Sequence, residues 1–372
     1  MAQSMRTRLL RYYQGLEHTS YHSDTVHRLT LPFVNRLSTP ISTTSKPIKR
    51  IPSLLEFCGG RQYTFDSPVS SSAPLYFPSR SYVFNDLLID SSPSSVFPQL
   101  LPHLTCIKNF LLTHHHEDHS GSFGNILSHT SITPYMSRET EAILTHPAHT
   151  PYFPMFVYEH LLYGRPSVIP SDQLSRVISF PAPPPSSPFE LNTIDPETKE
   201  SVPGYIHFCP GHSPDHIVYH VPSLDLLFPG DVYLTPNSFF FRSDEDITRI
   251  IQSCEYLIEL PSWDIMLCAH EPVYSGGKES MRKKLDYMVT TRDKILSLYA
   301  EGISEEKIAQ IVFPRATKLR AMFILCGGDV SPINIVRSTL FGPLHRDGVK
   351  KSLAGVNDEV LNPLSRTKIE IE

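Results

Sequence analysis

The chain has 372 residues, 40% of them hydrophobic and 19% charged, with a formal net charge of −5. That balance excludes a chain disordered throughout, which would need lower hydrophobicity and a larger net charge. It also offers no bulk positive charge for non-specific nucleic-acid binding, although a local basic patch stays open. No unbroken apolar run approaches the roughly 18 residues that a membrane-spanning helix needs. The length predicts one sizeable core with an appended piece. Six cysteines (Cys58, Cys106, Cys209, Cys254, Cys268 and Cys326) are scattered without a CxxC pair, and read as reduced thiols of an intracellular protein. The 34 prolines imply many loops, and the 18 histidines invite a search for metal ligands.

Residues 1–50 carry eight Lys/Arg against two acids, Glu17 and Asp24, and are rich in Ser and Thr. We read them chiefly as an irregular extension, with Tyr12, Tyr13, Leu29, Leu31, Phe33 and Val34 available to pack. A basic, acid-poor transit peptide is the alternative. Residues 82–90 read as a strand running into a turn, 93–104 as helical, and 107–113 as a second strand. A polar loop and a helix-like stretch follow, which is an α/β pattern. Residues 137–163 look helical with a break at Pro147 and Pro154, and 180–188 form a proline-rich loop. Residues 206–209 form a strand ending at Pro210-Gly211-His212. Residues 217–221 and 226–228 form a hairpin that runs into Gly230-Asp231. A helix over 246–260 and a strand over 265–269, ending at His270, complete the set. Four short strands thus each deliver a His or Asp at a terminus, where α/β scaffolds place chemistry. Residues 280–300 are helical, and Ser304, followed by Glu305 and Glu306, is the expected N-cap of the next helix. The expected organisation is a basic extension over 1–54, a catalytic α/β domain over 55–275 and a helical region over 276–372.

His114-x-His116-x-Asp118-His119 is the sharpest signal. Imidazole and carboxylate are the ligands of zinc in hydrolytic sites, at about 2.0–2.2 Å. Alternation places His114 and His116 on one side of an extended stretch, whereas Asp118 and His119 can turn to a second point. One short segment can therefore serve two adjacent ions. Such a pattern arises by chance at a given start only about once in 10⁵.

The segment from Thr113 to Gly121 resembles the signature of the metallo-β-lactamase superfamily, and the remaining motifs follow in order. Pro210-Gly211-His212-Ser213 resembles the third, Phe228-Pro229-Gly230-Asp231 the fourth and Ala269-His270-Glu271-Pro272 the fifth. The strand ending at Asp90 matches the lead-in. The resemblance implies an αββα four-layer sandwich, flanked here by the N-terminal extension and a C-terminal helical subdomain. It implies one metal on His114, His116 and His212, and a second on Asp118, His119 and His270, bridged by Asp231. It further implies two zinc ions per chain, iron or manganese being alternatives. The implied nucleophile is a metal-bridging hydroxide that Asp118 orients. Tyr233 and Tyr274 follow the fourth and fifth motifs and could supply an oxyanion donor. His216 could touch substrate, although a hydrogen-bonded support for the ligands is the commoner role. His115 alternates away from the ligand side, and Cys268 reads as a buried strand cysteine.

Asp231 and His270 are 39 positions apart, which leaves no room for the large inserted domain of the nucleic-acid-processing branch. His119 and His212 are 93 apart, a long span that suggests a lid or a substrate wall. The fifth motif only partly resembles that of glyoxalase II-like thioesterases. The helical tail around residues 302–308 resembles that of general superfamily hydrolases, including a mitochondrial lactamase-like endoribonuclease group. Arg282, Lys283 and Lys284 read as a solvated helix face. The expected function is dizinc hydrolysis of a small ester, thioester or lactone, with a small-molecule substrate in preference to nucleic acid, which stays open, and no membrane partner. The alternatives are a single-strand endoribonuclease on the same metals, and a mononuclear iron sulfur oxygenase or non-catalytic metal-binding protein. The expected location is the cytoplasm, or the mitochondrion if residues 1–50 act as a transit peptide.

Overall fold

The computed structural model describes residues 79–145, 166–182, 187–195, 198–239, 241–314, 316 and 330–343, together with the backbone of 61–65. The chain divides into two units, Met1–Thr44 and Ser45–Glu372, and every described residue belongs to the second. The readings of residues 1–50, Cys58 and Cys326, and the larger part of the 137–163 stretch fall outside the described residues.

Strand alternation explains the layering. One sheet contains β1 (Arg61–Phe65), β2 (Ser79–Phe84), β3 (Leu87–Ile89), β4 (Asn109–Leu111), β5 (Thr133–Ser137) and β6 (Ile178–Phe180), in that order. A second contains β13 (Ile265–Met266), β12 (Leu226–Phe228), β11 (Ile217–Val221), β10 (Tyr205–Phe208) and β7 (Phe189–Glu190), in that order. Strands β8 (Thr193–Ile194) and β9 (Ser201–Val202) pair separately as a short antiparallel ribbon. Successive side chains of a strand point to opposite faces. Tyr82, Phe84, Leu87 and Ile89 of the first sheet therefore meet Ile217, Tyr219, Val221, Leu226 and Phe228 of the second in one apolar layer. The rings of Tyr82 and Phe228 lie 5.6 Å apart across it, edge to face.

The alternate residues face outward. Val83, Leu88 and Phe110 pack against α1 (Phe97–Leu100) and α3 (Phe123–His129). Val218, Leu227 and Met266 pack against α5 (Ile247–Glu259), α6 (Gly277–Ala300), α7 (Glu305–Val312) and α8 (Pro332–Phe341). The result is the four-layer αββα sandwich. The other described α-helices, α2 (Glu117–Ser120) and α4 (Arg138–Thr145), belong to the first half of the chain.

Several elements differ from the sequence reading. Residues 82–90 do not form one strand; β2 and β3 are an antiparallel hairpin turning at Asn85 and Asp86, with Asn85 in the left-handed region at φ 54°. An Asn-Asp pair permits such a turn, but an apolar run on both sides hides it. Strand β5 has no counterpart in the sequence reading, since Thr133-Pro134 opens it. Asp246 caps α5 by accepting the amides of Thr248 at 2.9 Å and Arg249 at 3.2 Å. Ser304 precedes α7 in extended conformation, yet its side chain makes no capping bond. Lys284 is buried while Arg282 and Lys283 are exposed, so the basic triplet does not share one solvated face. No described helix is long and apolar enough to cross a membrane.

Candidate metal centre

The site lies at one sandwich edge, where β3, β4, β10, β12 and β13 end. Beyond β4 the chain runs irregularly, bending at His115, to His116, whose backbone is extended (φ −60°, ψ 145°), and then winds into the single turn α2. His114 and His116 therefore project from the irregular segment on either side of the bend, whereas Asp118 and His119 project from the turn. The motif thus feeds two neighbouring groups: His114, His116 and His212 in one, and Asp118, His119, Asp231 and His270 in the other.

The distances fit metal ligation. Ligand atoms on one tetrahedral zinc, each about 2.0–2.2 Å from it, lie about 3.3–3.6 Å from one another. His119 Nε2 is 3.3 Å from Asp231 Oδ1, and His270 Nε2 is 3.4 Å from Asp118 Oδ2 and 3.1 Å from Asp231 Oδ2. His212 Nε2 is 3.4 Å from Asp231 Oδ2 and 3.0 Å from His116 Nδ1. The Asp231 carboxylate thus stands between the two groups, one oxygen beside both His212 and His270. His119 Nε2 and Asp231 Oδ1 are close but not aligned for a hydrogen bond, and His114 Nε2 is fully buried without a hydrogen-bond partner. Buried polar atoms left so are costly unless they serve another purpose. A donor set of five imidazoles and two carboxylates suits a pair of divalent ions.

Supporting groups fix the ligands from behind. Asp90, itself at φ 57°, accepts the Thr113 amide at 2.9 Å and His119 Nδ1 at 2.7 Å. That bond holds the His119 proton on Nδ1 and turns Nε2 toward the centre. Asp215 accepts both the amide of His115 at 2.9 Å and its Nδ1 at 2.8 Å, so this buried pair ties the metal loop to the third motif. Arg80 donates to the carbonyls of Ala269 and His270. Cys268 is buried, as read from sequence, but β13 ends at Met266, so it lies just past the strand and not in it; its thiol donates to the Tyr233 carbonyl at 2.5 Å. Asp215 and Arg80 carried no motif that sequence reading could single out. Asp90 was visible only as the end of a strand.

His216 is fully buried, and its Nε2 accepts the Asp231 amide at 3.0 Å. Burial and the neighbouring His212 push it down to about 3, so it is neutral at physiological pH. The geometry makes it a support beneath Asp231 and leaves no exposed ring atom for a substrate. Tyr233 is a core residue hydrogen-bonded to Ser280, and burial and Glu271 push its hydroxyl up to about 12. Tyr274 is half-buried and packs against the layer between the sheets.

Gly230 shows how tight the fourth motif is. Its φ is +51°, and an added Cβ would lie 2.5 Å from His216 Nε2. Gly230→Ala is expected to destabilise the fold by about 1–3 kcal/mol through backbone strain and displacement of His216. Thermal denaturation checks this; an unchanged Tm would refute it.

The two groups differ electrostatically. Burial and neighbouring histidines hold His114 well below its ordinary value, and burial and Arg242 do the same to His116. Burial also opposes charge on His119 and His270, but Asp231, with Asp90 and Asp118 for His119 and Asp118 for His270, outweighs it and raises both well above 6.5. Correspondingly, Asp118 and Asp231 are lowered against burial by His119 and His270. At neutral pH a metal entering the second group must therefore displace protons from His119 and His270, whereas His114 and His116 are already neutral. Lower pH weakens the second position first. Metal titrations between pH 6 and 8 should show one equivalent whose affinity rises by up to about 10²-fold per pH unit, the limit for two displaced protons, and another that rises less steeply. Equal slopes would contradict the assignment.

The metallo-β-lactamase superfamily model matches residues 87–299, more than half of the chain, and the chain belongs to that superfamily. Among solved structures it is similar to a β-lactamase domain protein from Burkholderia ambifaria: 15% identity over 76% of this chain and 86% of that one, TM-score 0.53. It is also similar to an archaeal metallo-β-lactamase superfamily protein from Sulfolobus tokodaii, with 20% identity over 61% and 86% of the two chains and a TM-score of 0.45. A family protein from Thermus thermophilus gives 16%, 75%, 91% and 0.48 in the same order. The first of these, at 15% identity, speaks for the fold alone. No curated protein matches the chain.

Proposed function

We propose that this protein is a dizinc hydrolase of small esters, thioesters or lactones. The observation that carries the reading is the Asp231 carboxylate standing between two groups of ligands, with Oδ2 3.4 Å from His212 Nε2 and 3.1 Å from His270 Nε2. His114, His116 and His212 would hold one metal, and Asp118, His119 and His270 the other, with Asp231 shared. Bound there, the metals supply Lewis-acid polarisation of the substrate oxygen and a water acidified to a pKa of about 7. The chain's own residues do the rest. Asp118 accepts and orients the nucleophile's proton. Asp90 and His216 keep His119 and Asp231 in place, and the layer between the sheets excludes water from beneath. The net charge of −5 favours a small acyl substrate over a phosphate backbone, whose binding draws on Lys and Arg.

The test joins metal analysis of purified protein with a panel of ester, thioester and lactone substrates and labelled single-stranded RNA at two salt concentrations. The reading expects two metals per chain and salt-insensitive acyl hydrolysis. RNA cleavage that falls steeply with salt, without acyl turnover, would favour the endoribonuclease. A single iron per chain with full activity would defeat the dizinc reading.

A further inference from the structure

We propose that Glu245 is a positioning residue for the candidate metal ligand His212, and that helix α8, the last among the described residues, sets its place. The inference rests on reading the two His/Asp groups as a metal centre. His212 has its two ring nitrogens in different settings. Nε2 faces His116 and Asp231, while Nδ1 is buried without an aligned hydrogen bond and has the Glu245 carboxylate as its charged neighbour, Oε2 at 3.4 Å, both side chains being buried. The negative charge beside Nδ1 favours the proton on that nitrogen and leaves the Nε2 lone pair for a metal, with the contact tightening to a hydrogen bond when the ligand is pulled into place.

Glu245 is itself fastened. Its Oε1 accepts the Arg242 amide at 3.0 Å, and its main-chain carbonyl accepts the Ser338 hydroxyl at 2.8 Å. The same Ser338 oxygen accepts the Ile247 amide at 3.0 Å, so one side chain of α8 holds the main chain on both sides of Asp246. The other end of the loop is held too. Ser331 donates its amide, and Asn334 its side-chain amide, to the Phe241 carbonyl at 3.0 and 3.1 Å. Arg242 and Val330 form an isolated antiparallel bridge. Segment 241–247 is thus stitched at each end to a helix that begins at Pro332, beyond the residues that match the family model. The brace reaches one metal position and not the other, since no contact of Glu245 extends to Asp118, His119 or His270 among the described bonds.

Full-length protein loaded with Co²⁺ alone as the probe tests this, with chelator competition for affinity and the visible cobalt spectrum for geometry. Wild type should take two equivalents. Glu245→Ala should weaken one of them about 10–100-fold, with a changed spectrum for that ion, and leave the other unaffected. Glu245→Gln, of the same shape and still an acceptor, should restore part of that loss. Ser338→Ala should weaken the same equivalent by an intermediate amount. Leu340→Ala, which lowers Tm by loosening α8 without touching Glu245, should leave both equivalents unchanged. If Glu245→Ala and Glu245→Gln keep both equivalents at wild-type affinity, the inference is overturned. It is equally overturned if Leu340→Ala reproduces the Ser338→Ala loss, since general loosening of the helix then suffices. Wild-type protein that binds no cobalt would instead defeat the metal-centre reading itself, and this inference with it.

Discussion

Replacing Asp231 by alanine is expected to empty both metal positions together and to cut turnover by about 10³-fold or more, because lost metal forfeits several kcal/mol of transition-state stabilisation. The argument is geometric. Oδ1 lies 3.3 Å from His119 Nε2, and Oδ2 lies within 3.4 Å of both His212 and His270. Among the described residues no other carboxylate has such contacts in both groups. The substitution leaves the scaffold standing, since the bond from the residue-231 amide to His216 is a main-chain bond and survives truncation. It also removes the largest attraction that holds protons on His119 and His270. In metal-free protein those two histidines should titrate lower in the variant. The sign is definite: raised histidines stabilise the fold below their unfolded value and lose that contribution as pH rises through the folded one. Asp231, lowered, stabilises above the ordinary carboxylate range and loses its contribution as pH falls. The variant should therefore lose stability near neutrality and little in strong acid. Elemental analysis and kcat/KM on purified variant settle the first point. Retention of two metals per chain would refute it.

How much of this was legible beforehand depended on the kind of information. The residues of the two His/Asp groups were readable because metal ligation demands particular residue types at short fixed spacings, and because each candidate follows an apolar run of strand length. The sandwich was legible through the resemblance, and its strands show why: Leu226, Leu227 and Phe228 are all apolar because the strand is covered on both faces. What was not legible is whatever depends on long-range pairing. Asp215 lies 100 positions from His115, and Ser338 lies 93 from Glu245. No local pattern announces such bonds. His216 illustrates a half-legible case. Its nearness to the third motif suggested the site, but only burial against Gly230 distinguishes a support from a substrate contact.

Replacing Asp118 by asparagine should separate catalysis from metal binding. Asp118 and His270 are the more open groups of the centre, their side chains 13% and 16% exposed, whereas those of His119 and Asp231 are 0% and 5%. Asp118 therefore stands on the more open side of the centre, and on the proposed hydrolase reading an acceptor for the nucleophile's proton is useful there. Its main chain is anchored independently, since the Ser79 hydroxyl donates to the Asp118 carbonyl at 2.8 Å. Asparagine keeps the shape and one oxygen but can neither carry the negative charge nor take up the proton. Turnover should fall by about 10²–10⁴-fold, the usual worth of a positioned general base. The His114/His116/His212 equivalent should stay bound, the other should weaken modestly, and KM should change little. His119 and His270 hold the Asp118 carboxyl well below the usual range against the effect of burial. It is therefore ionised throughout the neutral range, and the deficit should be constant between pH 6 and 8, with no limb that titrates away. His114→Ala supplies the contrast, because there metal and activity should disappear together. An Asp118→Asn enzyme with near wild-type kcat would remove Asp118 from the chemistry. A variant that loses both equivalents would reassign it as a purely structural ligand.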